Sequence, residues 1–479
     1  MDKRDYDAIV VGSGPNGLSA AITLQQQGLT VLIVEAKDTI GGGLRTQELT
    51  LPGFKHDVCS AIHPLAADSP FFNTLPLDRH GLEFIYPLIP VAHPFTDGSV
   101  AFIKNTIEET AKLLGKDERV CLNVLGPVVK NWPLIRKDIL GPLHFPRHPL
   151  LFTKFGWQGL SSAWHLSRKF ATRSGRALFA GMAAHSIQPL TNKATSAFGL
   201  VMVATALNKG WPLARGGSVS IANALASYFI SIGGKIETSF YVASLSQLPS
   251  SHAVLFDTTP KQLLEIAGEK FSPYYTSQLN SYRYGAGVFK IDWALDAPTP
   301  FPAQEAKQTG VLHLGNTFEE IVESEEAIGN NRHCENPFVL FSQQSLFDDT
   351  RAPNGKHTAW AYCHVPHGSQ KDMTEIIENQ VERFAPGFRE RILARHTMNT
   401  VQMQAYNSNY VGGDINGGAM DIRQLFTRPA LRFSPYHTSA KGLYICSSST
   451  PPGGGVHGMC GYFAARKALK DVFGICIRL

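Results

Sequence analysis

A glycine-rich turn between a buried strand and a helix leaves the start of this chain few ways to fold. Ala8–Val11 is an apolar run suited to a buried parallel strand. It leads into Gly12, Gly14 and Gly17, and then Leu18, Ala20, Ala21, Ile22 and Leu24 at helical spacing, stopped by Gly28. A second strand, Thr30–Val34, ends in Glu35. Strand, glycine trio, helix, strand and acid together make a βαβ dinucleotide-binding fingerprint. In such a unit Gly12 permits the tight turn, Gly14 lets the backbone approach a pyrophosphate, and Gly17 lets helix and strand pack closely. Pro15 and Asn16 open the helix, whose N-terminal N–H groups and dipole favour phosphate. Glu35 is placed to accept hydrogen bonds from an adenosine ribose, with Ala36 beside it. No second fingerprint follows, since Gly285-Ala286-Gly287 lacks a third glycine and runs into a strand pattern.

Beyond Glu35 the chain reads Gly41, Gly42, Gly43, then Arg45 and Thr46. An acid followed by a glycine cluster and Arg-Thr resembles the glutathione-reductase-like flavoproteins, in the branch of amine oxidases and phytoene desaturases. The resemblance implies that these residues lie along the pyrophosphate and the flavin of FAD, and that Val242 touches adenine. Near the other end come Val411–Gly418, Gln424–Pro429 and Gly442–Ala465, the last holding Pro451-Pro452 before Gly453, Gly454 and Gly455. These stretches resemble the phytoene-desaturase-related FAD-dependent oxidoreductases, and within them the subgroup of pyridine nucleotide-disulfide oxidoreductase domain proteins. The implied function is FAD-dependent desaturation or oxidation of a lipophilic substrate by hydride transfer to flavin N5, with oxygen or a quinone as acceptor. A redox-neutral isomerase and a non-catalytic flavin- or lipid-binding regulator are the alternatives.

Read from the residues, the C-terminal stretch gives a strand ending at Cys446, a close-approach loop, and a helix starting near Val456. Aimed at a flavin's N1–C2=O edge, that helix end would stabilise charge on the reduced ring. Ser449, Gly454, Gly455, Val456 and His457 are the cofactor candidates here, and the hydroxyls of Ser449 and Thr450 stand where wider relatives have Asp. His457, His63 and His185 are the candidate general bases, each also readable as a hydrogen-bonded structural histidine. The seven cysteines form no C-x-x-C pair, which argues against a dithiol redox centre and a structural zinc site. No metal is expected.

The expected architecture is α/β: a glutathione-reductase-like, Rossmann-type FAD-binding domain interwoven with an α+β substrate domain of antiparallel sheet and helices. The first is assigned residues 1–75, 211–284 and 411–479; the second takes 76–210 and 285–410, with a basic helical region at 139–210. Within it, Lys154–Phe179 reads as helix, and Glu319–Glu326 reads as a solvated acidic segment.

The net charge of +5 conceals an asymmetry. Between Asp138 and Glu237 there is no acid, while Arg147, Lys154, Arg168, Lys169, Arg173, Arg176, Lys193, Lys209, Arg215 and Lys235 carry charge. Residues 139–236 thus either meet an anionic partner, such as a membrane surface, or form a solvated positive face. Nucleic acid is not expected, because the block is rich in Leu, Ala and Phe and holds no recognisable binding module. With no apolar leader and no run long enough to span a bilayer, the sequence predicts a cytoplasmic protein, peripheral to the membrane if the block docks there. It leaves the oligomeric state open.

Overall fold

The computed structural model describes residues 4–477, so the outermost three and two residues of the expected cofactor domain lie outside the described residues. Five strands form a wholly parallel sheet in the order Leu443–Ile445, Ser251–Phe256, Tyr6–Val11, Val31–Val34, Lys235–Glu237. Helix Pro15–Gln25 follows the first strand and is buried along most of its length. It needs that burial, because it is apolar nearly all round. The C-terminal helix Met459–Ala468 lies against it so closely that a Cβ on Gly461 would come within 1.8 Å of the Asn16 carbonyl oxygen. The last helix of the chain therefore seals the first one. This is a mixed α/β fold with a Rossmann-type parallel sheet.

A second sheet has seven strands: Ile392–Met398, Gly287–Leu295, His357–Val365, Val339–Ser342, Thr309–Leu314, Ile89–Pro94 and Val100–Phe102. All its pairings are antiparallel except that between Thr309–Leu314 and Ile89–Pro94. Side chains alternate across a sheet, so each strand serves two faces. Phe289, Ile291, Trp293, Leu312, Val339, Phe341, Ala359 and Ala361 point one way into a core shared with helix Thr374–Phe384. The alternate residues point the other way, toward the parallel sheet's loops. There Lys290 stands opposite Tyr362, which stands opposite Leu340, which stands opposite His313.

Two expectations need correction. The helix read over Lys154–Phe179 is three helices, Pro149–Gly159, Ala163–Ser167 and Arg173–Ala184. The hydroxyls of Ser162 and Thr172 cap the second and third by accepting from His165 and Gly175 N–H, which restarts the chain each time. The acidic segment Glu319–Glu326 lies in helix Phe318–Gly329 and is solvated on one face only; Glu325 is buried and takes a 2.8 Å hydrogen bond from His364 Nδ1. The two readings of the basic block both stand: Arg173 pairs with Asp97 at 2.6 Å and Arg215 with Asp349 at 2.9 Å, which balances two of its charges. Among the described residues no helix is long and apolar enough to cross a membrane.

Candidate functional site

A cavity of 520 Å³ lies between the two sheets. Its floor is made at the carboxyl ends of four parallel strands by Gly12–Asn16, Glu35–Lys37, Asp257–Thr259 and Ser447–Ser448. That is where open α/β sheets bind ligands. Its roof is the alternate face of the second sheet, through Val288, Lys290, Val311, Leu340, Trp360 and Tyr362.

The nucleotide end follows from the fingerprint's geometry. Gly12 has φ +102° and donates its N–H to Val34 O at 2.8 Å, which fixes the tight turn. A Cβ on Gly17 would sit 2.1 Å from the Gly12 carbonyl oxygen, so only glycine lets helix and strand meet. Glu35 lines the cavity, and its Oε2 accepts from Ser13 N at 2.9 Å and Ser13 Oγ at 2.6 Å. Ala36 and Val242 line the same end. Arg45 lines the cavity too, but its fork is spent within the chain. It donates to Thr39 O at 2.6 Å, Gly42 O at 3.1 Å and Glu35 Oε1 at 3.2 Å. Arg45 thus keeps its place at the cavity and acts there as a buttress that orients Glu35. Gly42 and Gly43 reach the cavity; Gly17, Gly41 and Thr46 do not. Thr46 instead donates to Asp57 at 2.8 Å.

Asp257 was not among the sequence candidates. Its Oδ2 accepts from Gly17 N at 2.9 Å, so a protein carboxylate sits at the start of helix Pro15–Gln25. Burial pushes its carboxyl up to about 7; the Gly17 N–H opposes this and the Glu35 charge adds to it.

At the C-terminal end, Gly455 and Val456 line the cavity while Ser449, Gly454 and His457 do not. The Ser449 hydroxyl donates to Gly417 O at 2.7 Å and that of Thr450 to Ser447 O at 2.8 Å, so neither is turned to a ligand. His457 Nδ1 accepts from Met459 N at 3.0 Å, which puts the ring proton on Nε2, facing Gly453 O at 3.2 Å. With both nitrogens used and burial lowering its pKa to about 4, His457 is a staple of the loop and its candidacy as a base is withdrawn. The helix begins at Met459, three residues beyond the expected Val456, because Gly458 must first turn with φ +68°. Buried Arg428, overlooked in the sequence, ties this loop to 411–418 by donating to Ser448 O at 2.9 Å and Gly417 O at 3.3 Å. Its signal was a cationic residue beside proline in a stretch already singled out.

The other two histidines do line the cavity. The Ser218 hydroxyl donates to Ser60 O, so it accepts from His63 Nε2–H at 3.0 Å; His63 Nδ1 faces Ser60 Oγ at 3.3 Å. Burial lowers the His63 pKa to about 4. His185 Nε2 lies 3.1 Å from His313 Nε2, so one ring donates and the other accepts. His313 Nδ1 is buried without a partner, and an orphan lone pair is tolerated better than an orphan N–H. His313 therefore carries its proton on Nε2 and donates it, leaving His185 protonated on Nδ1. Burial lowers the His185 pKa to about 3, so it is a neutral donor, not a cation. Around it Ala61, Ile62, Leu65, Met202 and Trp211 make an apolar wall.

Lys290 is the charged residue of the roof, buried in an ion pair with Asp292. His56 and His396 approach the same carboxylate at 3.7 Å each. Two opposite charges two apart in an otherwise apolar strand share one face, and that spacing was the available signal. Cys59 also lines the cavity, where burial pushes its thiol up to about 11. No second cysteine joins it among the described lining residues, so the site has no dithiol. Among the described residues no group of three or more His, Cys, Asp or Glu could hold a metal ion.

A family signature described as an NAD(P)-binding Rossmann-like domain matches residues 10–74. Over 98% of its length the chain is 25% identical to pyridine nucleotide-disulfide oxidoreductase domain-containing protein 2 of Rattus norvegicus, 94% of which is covered. A triple mutant of putrescine oxidase shares the fold with a TM-score of 0.63 at 14% identity, over 98% of this chain and 99% of that one. The CLA-producing fatty acid isomerase from P. acnes does so with a TM-score of 0.59 at 12% identity, over 99% and 100%. The chain is thus similar over nearly its whole length to the rat protein, matches the NAD(P)-binding Rossmann-like domain at residues 10–74, and shares the fold of putrescine oxidase.

Proposed function

We propose that the chain is a FAD-dependent oxidoreductase that desaturates or oxidises a lipophilic substrate, with oxygen or a quinone as the final acceptor. The observation that carries this reading is the continuity of one cavity from the dinucleotide fingerprint to an apolar wall. The residues present fit the cofactor. Asn16 Oδ1 is buried with no partner, and Asn16, Gly14, Gly42 and Gly43 all line the cavity, where a ligand can approach their backbone closely. Held by the fingerprint and Glu35, FAD would supply a hydride acceptor, its flavin N5. The chain's own part is to hold the ribose at Glu35, to enclose the reacting carbon under Trp360 and Tyr362, and to keep water from it. The buried Lys290–Asp292 pair keeps a positive group at the cavity wall without a net charge in the roof.

The test is anaerobic mixing of the FAD-loaded protein with polyenes, fatty acyl compounds and amines. Bleaching of the flavin by one of them is the expected result. A protein that shows no flavin spectrum after refolding with FAD would sink the reading. A second reading, redox-neutral isomerisation, is favoured by the fold shared with a fatty acid isomerase. It predicts product without net bleaching, and only after the flavin has been reduced.

His185 gives the apolar pocket one neutral donor, which selects for a substrate oxygen that accepts a hydrogen bond. A long-chain ketone should bind about tenfold more tightly than the matching alkane, and His185→Phe should abolish the difference. Flavin absorbance shifts on titration would measure both constants. Tighter binding of the matching carboxylate would contradict a neutral histidine.

A further inference from the structure

We propose that residues 143–160 form a docking face for an anionic lipid bilayer. Phe145, Leu150 and Trp157 are 83%, 81% and 86% exposed, and Leu143 is 66% exposed. Large apolar side chains scattered singly over a surface mean little, but these four fall within one short stretch. In helix Pro149–Gly159, Leu150, Lys154 and Trp157 stand at i, i+4 and i+7 and share one face. The opposite face is seated on the protein through Phe155 and Gly159, where a Cβ on Gly159 would lie 3.3 Å from Ala197 Cβ. This helix thus presents Trp157 and Leu150 outward as well as burying Phe155, so it is apolar on both faces where an ordinary surface helix is polar on one.

The charges around this face choose the occupant. His144, Arg147, His148 and Lys154 are exposed among the apolar groups, in a segment without acids. The nearest acid in sequence, Asp138, is buried and already accepts from His144 Nε2 at 2.9 Å and Arg147 N at 3.1 Å. A second copy of the same face would set cation against cation. Anionic headgroups match it, and tryptophan favours the boundary between headgroups and acyl chains. Apolar insertion together with basic residues supplies the two signals that stable peripheral attachment needs. Two other cations of the acid-free block are less free to serve, since Arg173 pairs with Asp97 and Arg168 stacks 4.4 Å from the Trp164 ring centre. The face also lies one helix from the cavity. Helix Pro149–Gly159 packs on Thr195–Asn208, whose Met202 forms part of the apolar wall.

The experiment is co-sedimentation of the full-length protein with vesicles of phosphatidylcholine containing about 30% phosphatidylglycerol, at about 0.1 and about 0.5 M salt. The wild type should pellet with them, less so at high salt. Phe145→Ser, Leu150→Ser and Trp157→Ser combined should weaken binding by at least about tenfold, and each alone by less. Ile230→Ser, at a residue 56% exposed in the acid-free block but outside this face, should bind as the wild type does. Absence of vesicle binding, equal binding to pure phosphatidylcholine, or wild-type binding by the triple variant would each overturn the proposal. So would a wild-type dimer in gel filtration that the triple variant converts to monomer, which would assign the face to a second copy. None of these outcomes bears on the redox reading, which is read from the flavin spectrum.

Discussion

Gly17→Val is expected to fold and to purify without its cofactor. The added Cβ would stand 2.1 Å from the Gly12 carbonyl oxygen, and the obstruction is backbone, which cannot swing aside. Helix Pro15–Gln25 must then move off strand Tyr6–Val11, carrying its N–H groups away from the position the phosphates require. The helix cannot retreat freely on its other side. There the C-terminal helix presses on Asn16 through Gly461. Overpacking of this kind costs about 1–3 kcal/mol of stability, which a protein this large tolerates while losing a site that depends on the same geometry. The flavin-to-protein absorbance ratio after reconstitution with FAD should fall by more than about tenfold, with circular dichroism little changed. Gly28→Asn supplies the contrast. Gly28 also has positive φ, +78°, but a Cβ there meets nothing within 4 Å, and Asn accepts that conformation. It should keep its cofactor. Full flavin content in Gly17→Val would show that the fingerprint does not form the binding site.

How much of this could be read beforehand depends on how far apart the cooperating residues lie in sequence. The fingerprint is local: strand, turn, helix and acid fall within 30 residues of one another, and Gly17 answers to Gly12, although Gly12 and Gly14 also pack against distant Asp257. The cavity roof is not. Strand Gly287–Leu295 is buried on both faces, so its pattern has no polar alternation to say which residues meet a ligand. Lys290 and Asp292 broke that pattern and marked the cavity face. The histidines were legible as residue types but not as roles. His457 is fixed by a bond to an N–H two residues away, whereas His185 depends on His313, 128 positions along the chain. Arg45 was likewise legible as a residue type but not as a role, although its partners Thr39, Gly42 and Glu35 lie within ten residues of it. Its fork fits phosphate or a carbonyl equally well, and only the folded loop shows Thr39 in the way. The helix breaks at Ser162 and Thr172 were readable as caps, but a long apolar and basic run outweighed two hydroxyls.

Affinity for FAD should fall as pH rises through about 7 in the wild type and stay nearly flat in Asp257→Asn. The Asp257 carboxyl is buried beside Glu35 at the helix N-terminus where the cofactor's phosphates are expected, and its folded pKa of about 7 lies above the ordinary 3.8. A bound anion favours the neutral acid and raises that value further, so binding takes up a proton over the interval between the free and bound pKa values. Within that interval the dissociation constant rises by up to about tenfold per pH unit. Asparagine has no such proton and can keep an oxygen on the Gly17 N–H. The sign is the same without cofactor. A carboxyl whose folded pKa is raised stabilises the fold fully below its unfolded value, and that contribution is lost as pH rises through about 7. The cofactor-free Asp257→Asn variant should therefore gain more in melting temperature at about pH 8 than at about pH 5. Two measurements separate the possible failures. Flat wild-type affinity with a pH-dependent gain in stability would mean that Asp257 titrates as argued but lies away from the phosphates. If neither changes with pH, Asp257 is ionised throughout, and the Gly17 N–H holds its charge more firmly than burial opposes it.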